Sequence, residues 1–237
     1  MSDGWDASAG AWIDEQGEAG DFGRAFVLDL PMQARVLAAA PRRVLDVGCG
    51  EGRFCRWLSA QGIATVGIDP TEGLLARARA LDPGGTYRAG RAEALDFDDD
   101  AFDMAVSYLT LIDIPDHAKA IAEMARVVRP GGRILVANLQ GYHTCGDGRA
   151  DWRDDGAGRV LLDRYLEERA QWAQWRGIRI RNWHRPLSGY MRAFLEQGLQ
   201  LTHFDEPAPH GGAEAKRQRY MNAPFFHIME WLRPASA

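Results

Sequence analysis

Two hydrophobic periodicities alternate along the chain between residues 26 and 138. Short apolar runs, which are typical of buried strands, are separated by longer segments with apolar residues at helical spacing. The predicted strands cover residues 44–47, 64–68, 86–89, 102–108 and 133–138. The predicted helices cover residues 9–16, 26–39, 71–81 and the segment that follows an N-cap at Asp116. This alternation predicts parallel strands joined by right-handed crossovers, and therefore an α/β fold.

The alternation ends after residue 138. Residues 140–158 are rich in Gly and Asp and predict a long loop, 160–175 have helical spacing, and 178–183 alternate like an exposed strand. We interpret 139–187 as an α+β cap inserted over the mouth of a ligand site, because long inserted segments often carry substrate contacts.

The remaining segments complete one domain that covers residues 1–237. They are a helix N-capped by Ser188, a strand over 199–204, a polar loop over 206–222 and a last strand over 224–232. At the other end, residues 1–24 are polar and Gly-rich, with scattered aromatic residues. They form either a lid over the site or a strap whose aromatic side chains pack on the core.

A glycine cluster directly follows the first strand. Gly48, Gly50 and Gly52 come between that strand and the next helical pattern. Strand, glycine turn and helix form a nucleotide-binding unit, because glycines let a ligand lie against the main chain and the helix presents N–H groups to it. The next strand ends at Asp69, where a carboxylate can accept hydrogen bonds from both ribose hydroxyls. An ordinary helix N-cap is the alternative role for Asp69.

The motif D-V-G-C-G-E-G (46–52), followed by an acid at the end of the next strand, resembles the class I S-adenosylmethionine-dependent methyltransferases. The resemblance continues in F-D-x-A-V-S-Y (102–108) and R-V-V-R-P-G-G-R-I-L-V (126–136) and covers about residues 42–138. It implies a doubly wound, mostly parallel seven-stranded sheet of the Rossmann-like methyltransferase type, with the final strand antiparallel beside the fifth. It also implies S-adenosyl-L-methionine as the cofactor.

The same resemblance implies which residues contact the cofactor. An acidic loop after the third strand would contact the adenine, although Arg91 stands where the family often has Asp. Tyr108 would border the transfer site, and Arg24, in the lid, would bind the cofactor carboxylate. The implied cofactor-binding residues are Gly48, Cys49, Gly50, Asp69, Pro70, Ala92, Glu93, Tyr108, Trp12 and Arg24.

Two histidines in the cap are candidate catalytic bases. A sulfonium methyl is already activated, so alignment of the acceptor supplies most of the rate effect, and a base helps when the acceptor atom carries a proton. Histidine titrates in the useful range. His143 follows the fifth strand and His184 precedes a helix. A structural role is the alternative for each.

The amino-acid composition limits the classes of binding partner. The net charge of −5 and the lack of a dense basic block argue against a broad nucleic-acid surface. No apolar run is long enough to span a bilayer, and the first residues lack the pattern of a signal peptide. Three cysteines without metal spacing suit a reduced cytoplasm. The acidic run 96–100 is interpreted as a solvated turn, and no metal site is predicted.

The sequence therefore predicts a cytoplasmic methyltransferase that acts on an O, N or S atom of a small-molecule acceptor. A tRNA or protein methyltransferase of the same fold is an alternative, supported by the basic cluster 216–219. An NAD-dependent oxidoreductase is a second alternative, which the missing third glycine of the dinucleotide motif opposes because Arg53 occupies that place. A cofactor-binding protein without transfer activity is a third.

Overall fold

The parallel strands predicted from the apolar runs form the centre of one sheet. The computed structural model describes residues 3–17, 19–145 and 162–235. Its strands are β1 Arg43–Val47, β2 Ala64–Asp69, β3 Thr86–Ala89, β4 Phe102–Tyr108, β5 Val128–Leu139, β6 Arg169–Trp175, β7 Ile178–His184, β8 Gln200–Asp205 and β9 Phe226–Leu232. Its helices are α1 Trp5–Gln16, α2 Asp29–Ala39, α3 Arg53–Ala60, α4 Glu72–Leu81, α5 His117–Val127, α6 Gly141–Thr144, α7 Leu187–Glu196 and α8 Glu214–Asn222.

Seven of these strands form the main sheet in the order β3-β2-β1-β4-β5-β9-β8. The first five in that order pair in parallel. The last strand of the chain, β9, lies antiparallel between β5 and β8. The order reverses direction between β1 and β4, which is where ligands bind in doubly wound sheets. The predicted fold class and the antiparallel final strand are confirmed.

Helices cover both faces of the sheet. On one face α5 and α7 bury Ile121, Met124 and Phe194 against the strands. On the other, α2 and α3 bury Met32 and Leu58. Each such side chain contributes about 1.5–3 kcal/mol when it is fully buried. The sheet is therefore held rigidly, and the carboxyl ends of its strands offer a stable base for a site.

The predicted helix over 160–175 is wrong for its described part, because residues 169–175 form strand β6. Strands β6 and β7 pair along their whole length as a separate two-stranded hairpin. Arg176 and Gly177 connect them, both with positive φ, at 41° and 84°. Two positive φ values in a two-residue loop are the mark of a type I′ hairpin turn, which outweighed the helical spacing of the apolar residues.

Three other boundaries differ from the sequence predictions. The loop predicted over 206–222 contains helix α8. Helix α7 begins at Leu187 with Pro186 at the N-cap, so Ser188 does not cap it. A π-helical turn, Arg24–Leu28, precedes α2 within the predicted helix 26–39. The N-cap at Asp116 is confirmed, because its carboxylate accepts a hydrogen bond from the N–H of Lys119.

Helix α1 docks on the β6–β7 hairpin. The N–H of Arg181 donates to the carbonyl of Asp3 at 2.8 Å, and the Ser8 hydroxyl donates to the carbonyl of Arg179 at 3.1 Å. Ala11 and Trp12 pack on the apolar side of the hairpin. The lid at 1–24 and the cap at 139–187 stay predictions, and residues 146–161 of that cap lie outside the described residues.

Candidate active site

A cavity of about 490 Å³ opens at the carboxyl ends of the parallel strands. Its walls come from the glycine turn after β1, the loops after β2, β3 and β4, helix α1, the β6–β7 hairpin and α8. The volume lies in the range of small-molecule sites, about 300–1,000 Å³. All the predicted cofactor-binding residues, namely Gly48, Cys49, Gly50, Asp69, Pro70, Ala92, Glu93, Tyr108, Trp12 and Arg24, line it.

The glycine turn brings the main chain to the cavity wall. The N–H groups of Gly48 and Cys49 both donate to the carbonyl of Ile68, at 2.8 and 2.9 Å, which fixes the turn against β2. Gly48 has φ 74°, and a Cβ atom there would lie 2.1 Å from the methyl carbon of Thr110. Only glycine therefore fits at this position, both for its backbone angle and for the space around it.

Backbone N–H groups from two loops hold the Asp69 carboxylate in place. One carboxylate oxygen accepts the N–H of Gly50 at 3.0 Å, and the other accepts the N–H of Thr71 at 2.8 Å. Burial raises the pKa of Asp69, and these two N–H groups oppose the rise. Since a carboxylate has about four acceptor positions, two remain for ligand hydroxyls. Asp69 is not the side-chain N-cap of α4, which has Thr71 at that position.

An ionic cluster supports the wall below Tyr108. The Tyr108 hydroxyl donates to the carboxylate of Asp29 at 2.7 Å, and Arg53 binds the same carboxylate through two nitrogens at 2.7 and 2.8 Å. The guanidinium of Arg24 lies 5.0 Å from the Trp12 ring and 5.8 Å from the Tyr108 ring. The three predicted residues Arg24, Trp12 and Tyr108 are thus brought together.

The third glycine of a dinucleotide motif is replaced here by a structural arginine. Arg53 stands at that position and pairs with Asp29. No local sequence pattern predicts this pair, because the two residues lie on different helices. Arg24 is itself paired with Asp21 at 2.8 Å, so its charge is shared before any ligand binds.

The two candidate histidines occupy different surroundings. His143 lines the cavity against the ring of Phe225, with 3.7 Å between centroids. Desolvation, with a smaller effect of the Arg219 charge, lowers the pKa of His143 to about 3. Its imidazole is therefore neutral at physiological pH.

His184 is fully buried and does not line the cavity. Its Nε2 lies 2.8 Å from the carbonyl of Tyr165, which can only accept, so Nε2 carries the hydrogen. Its Nδ1 lies 2.8 Å from the hydroxyl of Thr144, which lines the cavity. This geometry favours a role in orienting Thr144. The catalytic roles of His184 and His143 stay predictions.

Comparisons with known proteins agree with this geometry. A family model for a methyltransferase domain matches residues 45–136. A ubiquinone biosynthesis O-methyltransferase of Alkalilimnicola ehrlichii is 34% identical over 141 residues, which are 57% of this chain and 57% of that protein. A malonyl-[acyl-carrier protein] O-methyltransferase of Erwinia billingiae is 37% identical over 98 residues, which are 41% of this chain and 39% of that protein. The chain thus spans only about half of the length of these curated relatives.

The crystal structure of an S-adenosylmethionine-dependent methyltransferase from Mesorhizobium loti matches over 91% of this chain and 99% of that one, with a TM-score of 0.75 and 27% identity. Residues 45–136 therefore match a methyltransferase domain, and the chain resembles class I S-adenosylmethionine-dependent methyltransferases in sequence and fold. A structure from Listeria monocytogenes has the same TM-score of 0.75 at 23% identity, over 86% of this chain and 97% of that one, and so supports the fold.

The residues of this site fit S-adenosylmethionine. The space beside Gly48 is one that a Cβ would fill, so the main chain can lie directly against a ligand. Asp69 keeps acceptor positions for a ribose. Tyr108 ends β4, the neighbour of β1 in the sheet, and the Arg24 guanidinium lies 5.8 Å from its ring, where the charged amino-acid end of the cofactor would follow the nucleoside.

Two acids in the wall of this cavity were not among the site residues predicted from the sequence. Asp46 lies on β1 and accepts a hydrogen bond from the Cys55 thiol at 3.2 Å; burial raises the pKa of Asp46 to about 7. Asp113 accepts a hydrogen bond from the side-chain amide of Asn182 on β7, and desolvation raises the pKa of Asp113 well above its usual range. A carboxyl that alternates with apolar residues in a strand, as Asp46 does, is the signal that could have identified it.

Helix α8 is the other missed part of the site. Lys216, Arg219 and Tyr220 line the cavity from it. Their spacing of three and four residues places them on one face of a helix, but the polar composition of this segment suggested a loop.

Among the described residues, 3–17, 19–145 and 162–235, no group of three or more His, Cys, Asp or Glu side chains could hold a metal ion. In the acidic run 96–100, Asp99 pairs with Arg126 at 2.8 Å and Asp100 with Arg233 at 2.6 Å. Within the same described residues, no helix is both long and apolar enough to cross a bilayer.

Proposed function

We propose that this protein transfers the methyl group of S-adenosylmethionine to an O, N or S atom of a small-molecule acceptor. The observation that carries the proposal is the convergence of the Gly48 turn, Asp69 and the Arg24–Tyr108 pair on one cavity. These groups suit a nucleoside at one end and an amino acid at the other. The names of the relatives include O-methyltransferases, which favours oxygen as the attacked atom.

The residues of the chain act mainly by binding and alignment. Asp69 would hold the ribose hydroxyls, and Arg24 would hold the cofactor carboxylate, exchanging part of its pairing with Asp21. When bound, S-adenosylmethionine supplies an activated methyl, so that the acceptor atom bonds to the methyl carbon as the sulfur–carbon bond breaks and its electron pair stays on sulfur. Alignment in a closed cavity can supply most of the rate effect.

A proton must leave when the acceptor is a hydroxyl or an ammonium group. His143 and Asp113 both face the cavity and can accept it. His143 is neutral, but its pKa of about 3 makes it a weak base. The raised pKa of Asp113 makes that carboxylate a stronger base once it is ionised. We retain His143 as the proposed base, with Asp113 as the alternative.

The elements that border the cavity favour a small acceptor. Helix α1 and the β6–β7 hairpin border the same cavity, which narrows the approach and favours a small molecule over a macromolecule. The net charge of −5 also argues against a nucleic acid. We further propose a cytoplasmic location, which Cys49, Cys55 and Cys145 support because all three are free thiols.

Calorimetric titration with S-adenosylmethionine and S-adenosylhomocysteine tests the proposal. Wild type is expected to bind both at micromolar concentration, and Asp69→Ala is expected to bind about a hundredfold more weakly. Glu72→Ala is the control, since Glu72 is a nearby exposed acid outside the cavity that pairs with Arg79. Wild-type protein that binds neither ligand but binds NADH would overturn the proposal in favour of an oxidoreductase.

A further inference from the structure

One face of α8 forms an outer end of the cavity. Lys216, Arg219 and Tyr220 lie on this face and line the cavity, and the two basic side chains are exposed at its rim. The next residue after Lys216, Arg217, points elsewhere: it is outside the cavity lining and pairs with Glu214 at 3.0 Å. Basic residues on the same helix therefore divide into a pair that faces the cavity and one that does not.

The two cavity-facing cations are not neutralised by the described part of the chain. Neither Lys216 nor Arg219 forms an ion pair with any described acid within 4.0 Å. The charge of Asp21 acts on this face of the helix, because after burial it contributes to the raised pKa of Tyr220. Asp21, however, is already bound by the Arg24 guanidinium and by the Arg24 N–H, each at 2.8 Å. The rim therefore carries two positive charges available to a ligand.

Aromatic rings stand directly beside these charges. The Tyr220 ring stacks on Phe225 with centroids 4.3 Å apart and planes 10° apart, and the His143 ring also packs on Phe225, with centroids 3.7 Å apart. Phe22 lies 5.0 Å from Tyr220, and the Lys216 ammonium lies 5.3 Å from the Phe22 ring. Flat walls of this kind favour a planar ligand.

This end of the cavity is separate from the cofactor end in the order of the sheet. Asp69, Gly48 and Tyr108, which are assigned to the cofactor, lie at the ends of β2, β1 and β4, and these strands are neighbours in the sheet. Helix α8 leads into β9, whose neighbours are β5 and β8, on the far side of β4. A ligand held by Gly48 and Asp69 and extending to Arg24 therefore leaves the α8 end for the acceptor.

We propose that Lys216 and Arg219 anchor the carboxylate of a planar, anionic acceptor at this rim. The proposal rests on the proposed function and adds the chemical class of its acceptor. The carboxylate is bound and unchanged, and a different atom of the acceptor receives the methyl group. The cations select for charge, while the Tyr220–Phe225 stack selects for a flat body.

Binding of matched acids and amides tests this assignment. The probes are hydroxybenzoates and hydroxycinnamates, each compared with its neutral primary amide by ligand-observed NMR in the presence of S-adenosylhomocysteine. Wild type is expected to bind at least one acid about fivefold more tightly than its amide, because a charged hydrogen bond at an exposed rim contributes modestly. The preference is expected to fall as salt is added, since exposed charges are screened.

Substitutions on α8 identify the residues that cause the preference for an acid over its amide. Lys216→Gln and Arg219→Gln are each expected to reduce it, and the double variant to abolish it, while Arg217→Gln keeps it. Equal binding of every acid and its amide by wild type, or no binding of any acid, would overturn the proposal. So would a loss of S-adenosylhomocysteine affinity in the double variant, which would assign these cations to the cofactor. Failure of wild type to bind S-adenosylhomocysteine at all would instead refute the proposed function.

Discussion

Asp46 offers the sharpest test of the physical chemistry of this site. Its carboxyl is 1% exposed and lies within β1, between β2 and β4. One oxygen accepts the Cys55 thiol at 3.2 Å, and the other has no hydrogen-bond partner among the described residues. Because the ionised form is poorly solvated there, burial raises the pKa of Asp46 from 3.8 to about 7, against the opposing effect of the Cys55 hydrogen bond.

The direction of the pH effect follows from proton linkage. Between about pH 4 and pH 7 the folded protein keeps a proton on Asp46 that the unfolded chain has lost, so stability falls as the pH rises through this window. The shift is 7 − 3.8 = 3.2 units. At about 1.36 kcal/mol per unit it costs the folded state about 4 kcal/mol at high pH. About 3 kcal/mol of this develops between about pH 5 and about pH 8.

The perturbation is Asp46→Asn, which keeps the shape of the side chain and removes its titration. Urea unfolding of wild type and variant at about pH 5 and about pH 8, without cofactor, measures the two differences in free energy. The advantage of the variant is expected to grow by about 3 kcal/mol between the two, or by about 6–12 °C in Tm for a chain of this size. An advantage that stays constant with pH would refute the assigned burial cost of the carboxylate.

Two further substitutions test the turn and the buried histidine. Gly48→Ala is expected to weaken S-adenosylhomocysteine binding more than tenfold, since the new Cβ would lie 2.1 Å from Thr110. Gly62→Ala is the control, because Gly62 has φ 78° but open space around it. An equal loss of binding in both variants would contradict the argument from space. His184→Asn is expected to lower the free energy of unfolding by about 1–3 kcal/mol, because it disrupts the hydrogen bond to the Tyr165 carbonyl. The pH–rate profile of His184→Asn should match that of wild type, and loss of a titration from it would instead support His184 as the base.

The nucleoside half of the site could be predicted because its signals are local. Gly48 and Asp69 each stand at the end of a strand that the apolar runs define, and parallel pairing of β1 with β2 brings those ends together. No long-range information is needed beyond the rule that consecutive parallel strands lie side by side.

The acceptor half could not be predicted in the same way. Trp172 and Trp175 are three residues apart, a spacing that places them on one face of a helix but on opposite faces of β6. The Arg176–Gly177 turn decides for the hairpin. Lys216 and Arg219 have visible helical spacing, but their relation to the cavity depends on where α8 docks. That docking involves contacts with Phe22, which is distant in sequence.

The docking of α1 on the hairpin has a consequence for how the protein is synthesised. Helix α1 is synthesised before the strands of the sheet, but the Ser8 hydroxyl gains its hydrogen-bond partner, the Arg179 carbonyl, only after 171 further residues have been added. The first four strands can pair in order before that point, since domains form from the N-terminal side as the chain emerges. Helix α1 therefore joins the cavity wall only after the β6–β7 hairpin has been made. Because α1 contacts mainly the hairpin and α4 rather than the strands of the main sheet, its detachment would open the cavity and leave the sheet folded.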